Sequence, residues 1–232
     1  MDRPRIGVTT SLNPTDSGAR EQRLDLAYVR AVERAGGLPL IVPMVATDEA
    51  AEAFAALLDG LVVTGGPAVT DGLIGALPED IDPTDPDRVA SDRRILRAFL
   101  DARRPTLGIC YGMQLASALA GGTIYADVET QVDGTATHSR GRGGTTHPID
   151  LVEGTTLHRI VGRPSIEVNT RHVQALAEPG ADLVISAVAQ DGTIEAIERT
   201  DGTFVGVQFH PEAMDPPLDA LFEDLVEKAR GV

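Results

Sequence analysis

The chain has 232 residues and is 42% hydrophobic, which is enough to build the core of one large α/β domain or two small ones. A formal net charge of −15 at pH 7 argues against nucleic acid and anionic membrane surfaces as partners. The single cysteine allows no internal disulfide, and no apolar run approaches the roughly 18 residues of a membrane span. With no signal-peptide pattern at its start, the sequence predicts a cytoplasmic protein.

Strand-like and helix-like segments alternate through the first 120 residues. Short apolar runs predict buried strands at residues 5–10, 38–43, 61–66 and 106–110. Apolar periodicity and capping signals predict helices over residues 20–37, 47–60, 87–104 and 111–122, and residues 67–86 predict a long loop. Such alternation is typical of an α/β fold with three layers, in which helices flank a mostly parallel sheet.

The second half of the chain has a different pattern. Short β-like runs at residues 147–152, 165–170, 182–189, 193–199 and 203–209 are separated by turn signals such as Asp191-Gly192 and Asp201-Gly202. We expect β-ribbons that extend the same sheet, followed by an amphipathic closing helix over residues 216–232 with proline at its start. Because no linker is evident, residues 1–232 are predicted to form a single domain.

Cys110 lies where a predicted strand becomes a predicted helix, between Gly108 and Gly112. This pattern is the cysteine version of a nucleophile elbow, a turn too tight for side chains at the flanking positions. The amino end of the following helix favours a thiolate. The alternative is that Cys110 is a small buried hydrophobic residue, which is the usual role of a lone cysteine.

A cysteine nucleophile requires a general base and a group that orients this base. Among the five histidines, only His210 has a well-placed carboxylate, Glu212, two residues along a segment predicted to be extended. An oxyanion hole would take one N–H group from Tyr111, directly after the nucleophile, and a second from the Gly65–Gly66 strand end. Together these residues predict an acyl-transfer site with Cys110 as nucleophile.

Two other histidines, His138 and His147, flank Ser139–Gly144, an arginine- and glycine-rich stretch that we interpret as a surface loop. RNA binding is the alternative, and the acidic composition argues against it. Neither histidine has a second ligand at the tight spacing typical of a metal site, so no metal is predicted.

Three stretches together resemble the class I (triad) glutamine amidotransferase superfamily, namely "VTGGPAV", "LGICYGMQLASALAGG" and "GVQFHPE". Further similarities along nearly the whole chain, including "IEVNTRHVQAL" and "DGTIEAIE", are closest to the γ-glutamyl-γ-aminobutyrate hydrolase family. The resemblance implies a flavodoxin-like amidotransferase fold.

For the site, the resemblance implies Cys110 as nucleophile, His210 as general base and then acid, and Glu212 as the residue that orients His210. Backbone groups of Gly66 and Tyr111 would form the oxyanion hole, and no metal or organic cofactor would be needed. The predicted substrate-binding residues are Gly65, Gln114, Arg171 and His172. The sequence departs from the family pattern at Ala68–Asp71 and at Val173, where substrate contacts are expected.

The leading functional prediction is hydrolysis of a γ-glutamyl amide through a γ-glutamyl thioester, with release of glutamate and an amine. One alternative is a glutaminase subunit that delivers ammonia to a partner synthetase, and another is a non-catalytic binding protein of the same fold. The predicted partner is a small γ-glutamyl amide or glutamine, and a homodimer is compatible with the sequence.

Overall fold

The structure is a computed structural model and describes residues 3–15, 17–214 and 218–231. The strands are β1 (Arg5–Val8), β2 (Ser11–Pro14), β3 (Arg20–Arg23), β4 (Leu38–Ile41), β5 (Gly60–Val63), β6 (Leu73–Ile74), β7 (Thr106–Ile109), β8 (Thr123–Tyr125), β9 (Thr146–Leu151), β10 (Ser165–Asn169), β11 (Ala175–Glu178), β12 (Leu183–Ala189), β13 (Ile194–Arg199) and β14 (Phe204–Val207). The helices are α1 (Leu26–Arg34), α2 (Asp48–Leu57), α3 (Pro86–Asp101), α4 (Tyr111–Leu119), α5 (Val128–Gln131), α6 (Thr156–Val161) and α7 (Ala220–Ala229).

One sheet of mixed direction forms the centre of the molecule, with the strand order β10-β9-β12-β13-β14-β7-β5-β1-β4 along its main path. The strands from β14 to β4 are parallel to one another, whereas those from β14 to β10 are paired antiparallel. The predicted α/β fold is therefore confirmed, with a parallel region and an antiparallel extension in the same sheet.

Helices cover both faces of the parallel region, which gives three layers. On one face, α1 and α7 bury apolar side chains such as Val32 and Phe222 against β1 and β7. On the other face, α2, α3 and α4 bury residues such as Phe99 and Met113 against β5. Because both faces are covered, all residues of β5 and β7 are buried.

The predicted helix over residues 20–37 begins later than expected. Residues Arg20–Arg23 instead form β3, which pairs antiparallel with β2, and α1 starts after the N-cap residue Asp25. All four residues of β3 are exposed, so the strand has no buried face whose period could be recognised. Arg20 forms ion pairs with Asp85 and Asp87, which link this hairpin to the start of α3.

The other predicted elements are found close to their expected positions. Thr47 caps α2 by accepting a hydrogen bond from the Ala50 N–H group, at 3.2 Å. The closing helix is present as α7, but Pro216 and Pro217, predicted at its start, lie outside the described residues. Within the described chain, no helix has both the length and the apolar character that crossing a membrane requires.

Candidate active site

Cys110 occupies a strained turn between the buried strand β7 and helix α4. Its φ of 49° and ψ of −101° fall where residues with a side chain are rarely found, as expected for a nucleophile elbow. A Cβ atom on Gly108 would lie 2.9 Å from the Gly112 carbonyl carbon, and one on Gly112 would lie 2.5 Å from the Val63 oxygen. The prediction that both glycines are needed for close packing is confirmed.

His210 reaches the same edge of the sheet because β14 runs parallel to β7, with Val207 beside Ile109. Its Nδ1 atom is 2.7 Å from Oε1 of Glu212, so the predicted contact is present. A 3-10 turn over Pro211–Ala213, rather than the expected extended chain, brings the two side chains together. The Glu212 side chain is only 5% exposed, which strengthens its interaction with the imidazole.

Asn169, at the end of β10, fixes the backbone of His210 from both sides. The His210 N–H group donates to Asn169 Oδ1, and Asn169 Nδ2 donates to the His210 carbonyl oxygen, both at 2.9 Å. Sequence reasoning missed this role, since Asn169 and His210 are distant in the chain and no local motif joins them. The antiparallel region thus positions a residue of the candidate site.

The electrostatics of His210 favour a protonated ring. Burial alone would lower its pKa, but interactions with the Cys110 and Glu212 side chains outweigh this and raise the pKa to about 10. A cationic imidazole beside a thiol favours the nucleophilic thiolate form. The arrangement therefore suits attack by sulfur on a carbonyl carbon, with a proton ready for the leaving group.

A glutamine network surrounds Cys110 on its buried side. Gln208 Nε2 donates to the Cys110 sulfur at 3.4 Å, and Gln114 Nε2 donates to Gln208 Oε1 at 3.0 Å. Gln114 also donates to the Gln174 carbonyl oxygen at 3.2 Å, and the Gln174 side chain pairs with both backbone groups of Val69. Gln114 was predicted as a substrate contact, whereas the roles of Gln208 and Gln174 were missed.

The glycines after β5 have different hydrogen-bonding states. The Gly65 N–H group donates to Tyr28 Oη at 3.0 Å, and the Gly65 carbonyl accepts from the buried Arg88 at 2.9 Å. Within the described residues, the N–H groups of Gly66 and Tyr111 have no acceptor. These two N–H groups can therefore donate to a ligand, whereas the backbone polar groups of Gly65 are already engaged.

A cavity of about 340 Å³ opens next to the thiol and is lined by five of the predicted site residues, namely Gly66, Cys110, Gln114, Arg171 and His172. The other four, Gly65, Tyr111, His210 and Glu212, are not among its lining residues. Arg171 is exposed at this cavity and forms no ion pair with any described residue. Asp80 and Asp82 also line it, so the cavity has both a positively charged side chain and negatively charged side chains in its wall.

The sequence has no second ligand at tight spacing beside His138 or His147, and the structure supplies ligand-type residues from elsewhere in the chain. Folding brings these two histidines next to His172 and Glu195, which lie far along the chain. We call His138, His147, His172 and Glu195 the His–Glu cluster. His172 belongs to it because its Nδ1 donates to the Gln174 carbonyl at 3.0 Å and its Nε2 lies 3.3 Å from Glu195.

Most of the chain is similar to a known protein family. A family model described as Peptidase C26 matches residues 4–212. A candidate glutamine amidotransferase from Mycobacterium tuberculosis, Rv2859c, is 34% identical over 238 residues, covering 99% of this chain and 76% of the relative. The γ-glutamyl-γ-aminobutyrate hydrolase PuuD of Escherichia coli K12 is 30% identical over 223 residues, which cover 91% of this chain and 87% of that relative.

Among solved structures, a candidate GMP synthase subunit from Thermoplasma acidophilum is similar, with a TM-score of 0.68. The match covers 100% of this chain and 96% of that chain at 18% sequence identity. At this identity the similarity concerns the fold alone. This similarity of fold agrees with a sheet whose parallel region is flanked by helices.

Proposed function

Because the chain belongs to the Peptidase C26 family of glutamine amidotransferase-like hydrolases, we propose that it hydrolyses γ-glutamyl amides through a thioester on Cys110. The main observation in support is the arrangement of Cys110, at a strained elbow, beside a His210–Glu212 pair separated by 2.7 Å. The similarity to γ-glutamyl-γ-aminobutyrate hydrolase supports a γ-glutamyl amine as substrate.

In the first step, the Cys110 sulfur attacks the γ-carbonyl carbon of the substrate and forms a tetrahedral intermediate. Its oxyanion accepts hydrogen bonds from the N–H groups of Gly66 and Tyr111, which have no other acceptor among the described residues. The C–N bond then breaks as His210 transfers its proton to the leaving nitrogen. The products are a free amine and a γ-glutamyl thioester.

In the second step, water attacks the thioester carbon while His210 accepts a proton from this water. The C–S bond breaks, glutamate leaves and the thiolate is regenerated. The Glu212 carboxylate stays hydrogen-bonded to the Nδ1 atom of His210 in both steps. The Nε2 atom of the His210 ring therefore performs both proton transfers.

Recognition of the glutamyl group follows from the charges at the cavity. The α-carboxylate of the substrate would pair with the exposed guanidinium of Arg171, which forms no ion pair with the residues described. The α-ammonium group would lie near Asp80 or Asp82. The Asp80 carboxylate is already paired with Arg142 through contacts of 3.0 Å, which leaves Asp82 as the stronger candidate.

The test is a screen of γ-glutamyl amines and glutamine, with released glutamate as the signal. Wild-type protein should release glutamate from at least one γ-glutamyl amine, and Cys110→Ala should lose about 10⁴-fold or more in kcat. Normal turnover by Cys110→Ala would refute Cys110 as the nucleophile. No glutamate release from any γ-glutamyl amide, by wild-type protein that is folded, would refute the proposed activity.

Delivery of ammonia to a synthetase is a second candidate, and the similarity to Rv2859c favours it. It predicts that glutamine is the preferred substrate and that a partner protein stimulates its hydrolysis. Preference for a γ-glutamyl amine over glutamine by the isolated chain would favour the hydrolase. The Cys110→Ala control is inactive under both candidates, so substrate preference distinguishes them.

A further inference from the structure

The His–Glu cluster lies in the antiparallel region and contains groups that the proposed chemistry does not use. Glu195 in β13 and His138 have no exposed surface, and His172 is 4% exposed. Three ring nitrogens surround Glu195 Oε1: His172 Nε2 at 3.3 Å, His147 Nε2 at 3.4 Å and His138 Nδ1 at 3.7 Å. One buried carboxylate oxygen is therefore the common neighbour of three imidazoles.

These contacts are not hydrogen bonds. Within the described residues, both carboxylate oxygens of Glu195 and the Nε2 atoms of His147 and His172 lack a hydrogen-bond partner. Burying a carboxylate without partners is strongly unfavourable, so such groups in folded proteins are paired or coordinate metals. A positive group between the nitrogens and the carboxylate, either a metal ion or a proton on one of the rings, would satisfy these atoms.

The outer contacts of the rings determine which nitrogen carries the hydrogen in a neutral imidazole. His172 Nδ1 faces the Gln174 carbonyl, which only accepts, so this atom donates and Nε2 presents a lone pair toward Glu195. His138 Nε2 lies 2.8 Å from the Asp191 carboxylate, which favours the tautomer with the lone pair on Nδ1, and the Thr170 hydroxyl also lies 3.3 Å from this Nδ1 atom. Metal-binding histidines typically have such outer carboxylate or carbonyl partners.

The separations also fit a metal ion. In a tetrahedral zinc site with bonds of about 2.0–2.1 Å, neighbouring ligand atoms are about 3.3–3.4 Å apart. Two of the three nitrogen–oxygen distances fall in this range and the third is slightly longer. The ligand atoms of His138, His172 and Glu195 all lie within 4.8 Å of one another, whereas His147 does not belong to this group and approaches it through Glu195 Oε1, at 3.4 Å.

We propose that His138, His147, His172 and Glu195 bind a divalent transition metal, with zinc as the ion best suited to three imidazoles and one carboxylate. Four protein ligands leave no open position, which is typical of a structural zinc site. The ion would join the loop before β9, β9 itself, the segment between β10 and β11, and β13. Since Ser139, Arg171 and His172 line the cavity beside Cys110, the ion would also fix one wall of this cavity.

The full-length protein is equilibrated with zinc and dialysed, and its zinc content is then measured by inductively coupled plasma mass spectrometry. We expect about one zinc ion per chain in wild type and in Cys110→Ala, because the ligands do not include the thiol. Glu195→Gln and His147→Ala should weaken zinc binding by at least 100-fold. The matched control is His158→Ala, since His158 lies in α6 and outside the cluster.

A thermal-unfolding measurement provides a second readout that needs no variant. Zinc at about a hundredfold above its Kd should raise the Tm of wild type by roughly 5–10 °C, and a chelator should reverse the increase. His147 is the most exposed ligand, with 12% of its side chain accessible, so His147→Ala remains informative if Glu195→Gln fails to fold.

Three results would overturn the proposal. The first is wild-type protein that binds no zinc and shows no change in Tm. The second is zinc that is lost in Cys110→Ala, which would place the ion at the thiol instead. The third is zinc retained at full affinity by a folded His147→Ala variant. None of these measurements uses enzyme turnover, so they are independent of the proposed function.

Discussion

The parallel and antiparallel regions of the sheet contribute functional residues in different ways. In the parallel region, Cys110 and His210 follow two adjacent strands, β7 and β14, and each lies in a short recognisable motif. In the antiparallel region, the His–Glu cluster is assembled from four segments, and no two of its members are closer than nine positions in the chain. The first kind of site depends on local backbone geometry, and the second depends on the tertiary fold.

This difference has a consequence for mutation. Changes in the parallel region should affect turnover or the packing of one turn, because each residue there acts through contacts with its immediate neighbours. Changes in the antiparallel region should affect substrate affinity and metal content, because its residues hold one wall of the cavity.

Glu212→Gln should lower kcat by about 10²–10⁴-fold, because an amide cannot stabilise the His210 cation. Steady-state kinetics with a γ-glutamyl amide measures the effect. The control is Glu223→Gln, an exposed glutamate in α7.

The same variant has a pH readout that a merely structural role for Glu212 would not change. Because the pKa of His210 is raised to about 10, the wild-type ring should remain protonated through neutral pH. Loss of the Glu212 charge should lower this pKa, as followed by NMR titration of the ring. A kcat within twofold of wild type together with an unchanged pKa would contradict the role given to Glu212.

Gly112→Ala should destabilise the protein by about 1–3 kcal/mol, because the new Cβ atom would lie 2.5 Å from the Val63 backbone oxygen. Chemical denaturation gives the free energy of unfolding. The matched control is Gly141→Ala in the antiparallel half, where the nearest neighbour of a Cβ atom, Ser139 Oγ, is 3.6 Å away. Equal stability of the two variants would show that the elbow is not tightly packed.

Arg171→Ala should raise KM for a γ-glutamyl amide by roughly tenfold and leave kcat within a few fold, because a charged hydrogen bond to the substrate is lost. Arg140→Ala serves as the control, since Arg140 is exposed in the same half but does not line the cavity. An unchanged KM for Arg171→Ala would remove Arg171 from the proposed glutamyl contacts.

The sequence predicted the parallel region well because its signals are local. The buried runs of β5 and β7, the cap of α2 and the glycines around Cys110 each depend on a few neighbouring residues. The β2–β3 hairpin was missed because its second strand is fully exposed and polar, and pairing rather than burial stabilises it.

The supporting residues of the candidate site were harder to predict. Gln208 contacts Cys110, and Asn169 contacts His210. Both contacts form only after strands that are distant in the chain have joined the same sheet. Glu195 lies in an ordinary strand pattern, and its surroundings are set by the register of β13 against β12 and β14. Such contacts follow from sheet register, which local sequence patterns do not reveal.

The proposed mechanism requires that Cys110 forms a covalent γ-glutamyl thioester. The most direct measurement is mass spectrometry of wild-type protein quenched in acid during turnover of a γ-glutamyl amide, followed by peptide mapping. We expect a mass increase of one γ-glutamyl group on the peptide that contains Cys110, and no such increase in Cys110→Ala. An adduct on another residue, or turnover by Cys110→Ala at the wild-type rate, would contradict it.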